Sequence, residues 1–258
     1  RERFVSNKKN IVEDKSNSVH IYFLNFTKIL NLAVGSKNKL KRFKENATFE
    51  NVFQPTREEV VGGEFPLRGK WNADFFKNDN PIILEIGAHK GTDTLEFLRE
   101  FPRIKIYSFE PDTRVIAQHR NLVNDPRSQL YELALSDQDG EAVFYQSGVQ
   151  VGDQLKHDAS SSLKKPQEHL KAYPKISFNS STTVKTMRLD TWAEENNITE
   201  VDFIWADVQG AEEQLIRGGL ETLAKTRYFY TEYSDRELYE NQINLRTIQS
   251  LIPEFKFV

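Results

Sequence analysis

Residues 81–112, PIILEIGAHKGTDTLEFLREFPRIKIYSFEPD, set two short apolar runs on either side of a glycine bend and one amphipathic stretch. Pro81 to Ile86 is apolar except for Glu85 and is stopped by Gly87, the pattern of a strand buried on both faces of a parallel sheet. Gly87 and Gly91 bracket a bend whose missing side chains let backbone approach a ligand closely. Thr92 or Asp93 is expected to cap the following helix, whose first amides would face that ligand. Ile104 to Phe109 forms the next strand and leaves Glu110 at its end, where a carboxylate can accept both hydroxyls of a ribose. This order of elements predicts a nucleoside-cofactor site.

The bend itself narrows the choice of nucleoside. A dinucleotide fingerprint needs glycines at 87, 89 and 92, but the chain has Gly87, His89 and Thr92, so a pyrophosphate lacks its cradle. Glu85 instead places an acid two residues before the first glycine. An acid there suits a cofactor with an ammonium group, such as the methionine end of S-adenosylmethionine.

Beyond this unit, strands and helices alternate. Thr113 to Asn124 reads as a helix, Gln129 to Ala134 as a third strand with Leu135-Ser136-Asp137 as its terminal loop, and Glu141 to Gln146 as a β run. Ser147 to Ser181 is long, polar and serine-rich, with His157 and His169, and is expected to be a lid or a mobile loop. Val184 to Leu189 returns as a strand, with Asp190 capping the short helix after it. Val201 to Ala206 is the fourth core strand, Gly210 to Leu223 a helix, and Arg227 to Thr231 a fifth strand. Phe255 to Val258 should begin a sixth. The fold class is α/β: a doubly wound, mostly parallel sheet with helices on both faces, plus an N-terminal helical extension.

Six blocks carry a family resemblance: EIGAHKG, SFEPD, LALSDQDGEAVF, MRLDTW, DFIWADVQGAEEQLIRGG and YTEYS. In this order they resemble the FkbM family of S-adenosylmethionine-dependent methyltransferases, from about Pro81 to the C-terminus. The resemblance implies a class I methyltransferase fold and O-methylation of hydroxyls on sugars, polyketides and related metabolites. It also implies cofactor contacts from Glu85, Gly87, Ala88, His89, Gly91, Glu110, Pro111, Ala134, Leu135, Ser136 and Asp207. The class normally ends in an antiparallel hairpin, of which this chain would hold one strand. Two positions depart from the family pattern: His89 stands where Asn is usual, and Gln209 where Glu is usual.

In a doubly wound sheet, ligands collect outside the carboxyl ends of the strands, where strand order reverses. Asp207 and Glu232 end the fourth and fifth strands there. A hydroxyl is a poor nucleophile at neutral pH, so a base or a metal must assist it. Asp207 is the first candidate base, Glu232 the second and His89 the third; Asp207 and Glu232 could instead hold Mg²⁺. The expected acceptor is a small molecule or glycan.

Composition trims the alternatives. A net charge of −3 gives no global pull toward nucleic acid, and no nucleic-acid partner is expected. The absence of cysteine removes disulfides, thiolate metal sites and the thiolate that cytosine C5 methylation requires. A cytoplasmic location is expected, since no secretory signal is read. The rivals are a nucleic-acid methyltransferase and a non-catalytic scaffold on a degenerate cofactor fold.

The chain divides into residues 1–70, an extension and connector, and residues 71–258, the methyltransferase domain. His20 to Val34 is apolar with polar interruptions, and a lysine-rich stretch follows. The favoured reading is a helix packed on the catalytic domain or on a sister subunit in a homo-oligomer. The alternative is peripheral membrane contact through residues 20–44.

Overall fold

The structure is a computed structural model that describes residues 19–25, 76, 79–151, 154–234 and 236–257. The strands are β1 (Val19–Asn25), β2 (Ile82–Ile86), β3 (Lys105–Phe109), β4 (Ser128–Tyr131), β5 (Ala134–Ser136), β6 (Gly140–Gln146), β7 (Val149–Val151), β8 (Gln154–Lys156), β9 (Ser180–Arg188), β10 (Val201–Ala206), β11 (Thr226–Tyr233) and β12 (Phe255–Phe257). The helices are α1 (Thr92–Glu100), α2 (Thr113–Leu122), α3 (His169–Ala172), α4 (Leu189–Glu195), α5 (Glu212–Arg217), α6 (Leu220–Leu223) and α7 (Leu245–Leu251).

Seven strands form one sheet in the order β12-β1-β11-β10-β2-β3-β4, with every neighbouring pair parallel. Alternation along the strands feeds two cores. Leu84, Ile86, Ile204, Ala206 and Phe229 pack on one face with Trp192, Leu215 and Ile248. Ile83, Phe203, Trp205, Tyr228 and Tyr230 pack on the other with Phe97, Leu98 and Phe101. Burying each of these large side chains contributes about 1.5–3 kcal/mol, so the sheet is fixed from both sides. Strand order reverses between β2 and β10, which opens a crevice at their carboxyl ends.

Several elements differ from the sequence reading. Val19–Asn25 is a strand in register with β11 and β12, not the start of a helix. Its sequence VHIYFLN is rich in β-branched and aromatic residues, which favour a pleated surface over a helix. The remainder of residues 20–44 lies outside the described residues, as does most of the 1–70 extension. The strand β12 runs parallel to β1 rather than in an antiparallel hairpin. The expected third strand splits in two: Ser128–Tyr131 joins the large sheet, while Ala134–Ser136 pairs with β9 in a three-stranded sheet, order β5-β9-β6.

Helix caps also differ. The N-cap of α1 is Gly91 itself, at φ 84, with no side-chain cap from Thr92 or Asp93. Asp190 accepts the Thr222 amide at 2.8 Å and the Glu221 amide at 3.2 Å, so it caps α6 and not its own helix. The expected Gly210–Leu223 helix breaks at Gly218-Gly219. A side chain on Gly218 would meet the Ser136 carbonyl oxygen at 1.9 Å, so close packing on β5 demands glycine there.

The 147–181 segment is not a loose lid. Ser147, Ser162 and His169 are buried, and β7, β8 and α3 give it structure. The triple serine works internally. Ser147 Oγ accepts the Ser160 amide, Ser161 Oγ accepts the Ser147 amide, and Ser162 Oγ donates to the Gln209 carbonyl at 2.7 Å. His169 packs edge-on or tilted among the rings of Tyr173, Phe178 and Tyr239. Trp192 and Trp205 are core, as expected, while Trp71 lies outside the described residues.

Candidate active site

The turn after β2, the end of β3 and the end of β10 enclose a cavity of about 340 Å³. Backbone bonds fix these three elements to one another. The Gly87 and Ala88 amides donate to the Phe109 carbonyl at 2.9 and 3.0 Å, and the Asp207 amide donates to the Ile86 carbonyl at 2.8 Å. Gly87 adopts φ 89, and a Cβ there would stand 2.0 Å from the Asp207 carbonyl oxygen. The bend is therefore a place only glycine can occupy.

Glu110 is buried beneath the cavity. Its Oε2 accepts the His89 amide and its Oε1 accepts the Asp112 amide, each at 2.7 Å. Each carboxylate oxygen retains a lone pair for a further donor. Burial pushes its pKa up to about 7, against the pull of those two amides. Asp112 caps α2 and forms a two-toothed pair with Arg114, with Nε to Oδ1 at 2.8 Å and a second guanidinium nitrogen to Oδ2 at 2.5 Å. Arg114 also donates to the Ser147 carbonyl at 3.0 Å and to Ser161 Oγ at 3.2 Å. The 147–161 segment is thereby tied to the cavity wall.

His89 sits in the bend at φ 47, with Nε2 3.2 Å from Asp158 Oδ1, while Lys90 Nζ is 2.7 Å from Asp158 Oδ2. Burial outweighs the Asp158 charge and lowers the His89 pKa, so the ring is neutral at physiological pH. Asp207 keeps partial access to the cavity, yet its surroundings desolvate it enough to raise its pKa. Gln209 Nε2 donates to Asp207 Oδ1 at 2.5 Å and opposes that rise.

The cavity has the shape and donor set of a nucleoside site: a glycine bend at the switch point, an anchored carboxylate at the next strand end, and apolar walls from Leu133, Ala134, Leu135 and Phe144. A match to the methyltransferase FkbM domain covers residues 85–258. The chain belongs to the FkbM methyltransferase family. The family's cofactor is S-adenosylmethionine, and the Gly87 bend, Glu110 and the apolar wall are what would hold it. The 2-O-methyltransferase NoeI of Sinorhizobium fredii is 44% identical to this FkbM chain over 228 residues, 88% of each. A tRNA (guanine-N(7)-)-methyltransferase of Christiangramia forsetii is 59% identical, but over 69 residues only, 27% of this chain and 31% of that one. A namesake from Bacteroides fragilis is 44% identical over 66 residues, 26% of each chain.

Of the residues expected to hold the cofactor, Gly87, Ala88, His89, Glu110, Pro111, Ala134, Leu135 and Asp207 line the FkbM cavity. Gly91, Ser136 and Glu85 do not. Gly91 shapes the bend from behind, against His119 and Val123, and Ser136 is buried in β5. Glu85 departs furthest from expectation. It shares the face of β2 that carries Ile83, so its side chain runs under α1. There it accepts Thr94 Oγ1 at 2.5 Å and Ser108 Oγ at 2.8 Å. Burial first, then the Asp93 charge, pushes its pKa up to about 8.

Glu232 also stays off the cavity wall. It is half-buried near the end of β11, and desolvation followed by the charges of Asp207, Glu212 and Asp93 raises its pKa far above the carboxylate range. The Mg²⁺ alternative for Asp207 and Glu232 gains no support: among the described residues no group of three or more His, Cys, Asp or Glu side chains could hold a metal ion. Among the same residues no helix is long and apolar enough to cross a membrane.

Sequence reasoning missed Asp158, Ser161 and Leu163, which reach the cavity from the 147–181 segment. It also assigned Asp93 to a helix cap, whereas Asp93 lines the cavity with its pKa pushed up to about 6 by burial and by Asp207. For Asp93 a signal existed, because the second residue of a helix after a glycine bend faces the crevice. For Asp158 none did, since its position depends on pairing across almost 70 residues.

Proposed function

We propose that this enzyme methylates a hydroxyl oxygen of a sugar, with Asp207 as the base that takes the hydroxyl proton. The observation that carries the reading is the position of Asp207. It enters the same cavity as the Gly87 bend and Glu110, with its proton affinity raised by burial. A base works best when its pKa approaches the operating pH, and burial moves a carboxylate that way. Glu110 would accept the ribose hydroxyls through the lone pairs its two backbone donors leave free. Pro111, Ala134 and Leu135 supply apolar surface for the base of the nucleoside. When bound, S-adenosylmethionine would supply an electrophilic methyl carbon, to which the acceptor oxygen bonds as the C–S bond breaks in line and the sulfur leaves as a neutral thioether. His89 Nε2 is turned toward Asp158, 3.2 Å from its Oδ1, so Asp207 is preferred over it as the base. A sugar acceptor is favoured by the 2-O-methyltransferase NoeI, which matches nearly the whole chain, whereas the tRNA methyltransferases match about a quarter of it.

The test is methyl transfer from isotopically labelled S-adenosylmethionine to neutral glycans and, in parallel, to total tRNA, with products mapped by mass spectrometry. Label on a sugar hydroxyl is expected. Label confined to guanine N7 would overturn the proposal.

A further inference from the structure

Gln209 stands between Asp207 and Tyr239. Its Nε2 donates to Asp207 Oδ1 at 2.5 Å, and the Tyr239 hydroxyl lies 2.9 Å from its Oε1 and 2.8 Å from the Ser160 carbonyl oxygen. The ionised Asp207 carboxylate sets the amide, because turned over the amide would place its own oxygen against that carboxylate. Oε1 then faces the Tyr239 hydroxyl, whose single proton is shared between it and the Ser160 carbonyl. The backbone is shaped to hold it. Gln209 lies in the left-handed region at φ 50, and its carbonyl accepts Ser162 Oγ. Gly210 follows at φ 94, where a Cβ would come within 2.7 Å of the Tyr239 ring, so glycine lets that ring reach the amide.

The groups facing Asp207 explain why the donor matters. Asp93 on α1, Glu110 at the end of β3, Glu212 on α5, Tyr230 and Glu232 on β11, and Tyr239 all feel its charge as an added barrier to ionisation. All six become anions when they ionise. A carboxylate among them stays charged only if a neighbour donates to it.

Building on Asp207 as the base, we propose that Gln209, oriented by Tyr239, is a positioning residue that keeps the Asp207 carboxylate ionised and aimed into the cavity. The Tyr239 hydroxyl also lies 2.8 Å from the Ser160 carbonyl oxygen, so its one proton is shared between the segment over the cavity and the amide that positions the base.

The test follows the Asp207 carboxyl carbon by ¹³C NMR in aspartate-labelled protein, assigned with Asp207→Asn, across a pH series. In Gln209→Glu a second acid replaces the donor, and the Asp207 midpoint is expected to rise by about one pH unit or more. In Tyr239→Phe the ring remains but the amide loses its guide, and a smaller rise in the same direction is expected. A midpoint unmoved in Gln209→Glu would overturn the proposal. If Gln209→Glu does not fold, an unmoved midpoint in Tyr239→Phe would overturn it instead. The base assignment fails separately, if Asp207→Asn retains wild-type turnover on the glycan acceptor.

Discussion

The carbonyl oxygen of Asp207 occupies the space that a side chain on Gly87 would need, 2.0 Å from the Cβ position. The cofactor bend and the proposed base are therefore in backbone contact, across the point where strand order reverses. Gly87→Ala is expected to destabilise the fold by more than about 2 kcal/mol, because strained φ and a backbone collision add together. Gly140→Ala is the control: φ is also positive, but nothing lies within 4 Å. Thermal unfolding of the two variants checks this, with Gly87→Ala the more damaged and weakened in S-adenosylmethionine binding.

Glu110→Ala removes a buried acceptor from the proposed ribose site. Affinity for S-adenosylmethionine is expected to fall by about 1.5–3 kcal/mol, roughly 10- to 100-fold, by calorimetry. Because the Glu110 pKa is about 7, the wild-type carboxylate is protonated below that pH and accepts less strongly. Wild-type affinity should therefore weaken as pH falls from 8 to 6, and Glu110→Gln should flatten that dependence.

Glu85 is expected to act on stability more than on binding. Its pKa is about 8 in the folded chain and near the ordinary 4.5 when unfolded, so the folded state holds the proton more tightly. Its contribution is thus undiminished below about pH 4.5 and is lost as pH rises toward 8, a change on the order of 4 kcal/mol. Glu85→Gln carries no such proton. Urea midpoints at pH 5 and pH 8.5 should converge in the variant relative to wild type, with S-adenosylmethionine affinity changed less than in Glu110→Ala.

The contrast between Glu85 and Glu110 shows what a sequence can and cannot reveal. Both acids sit at strand ends beside one glycine bend, and both were read as cofactor ligands. Glu110 follows the last residue of its strand, where the chain has left the sheet and its side chain lies at the crevice. Glu85 is still inside its strand, and the pleat turns it toward α1 with Ile83. The parallel strands, the bend and Asp207 were legible because they follow from local periodicity and strand order. Asp158, Ser161 and the Tyr239 hydroxyl were not, because their places depend on how a long serine-rich segment folds back through contacts far apart in sequence. Asp190 likewise looked like a cap for the helix that contains it, and only tertiary packing sends it to Thr222.

The central claim, that Asp207 takes the proton of the acceptor hydroxyl in this cavity, is tested most directly by single-turnover methyl transfer in Asp207→Asn. The substitution preserves shape and removes the base. The account predicts a rate lowered by about 10²- to 10⁴-fold with the dissociation constant for S-adenosylmethionine within a few-fold of wild type. A variant that transfers methyl at the wild-type rate while binding the cofactor normally would contradict it.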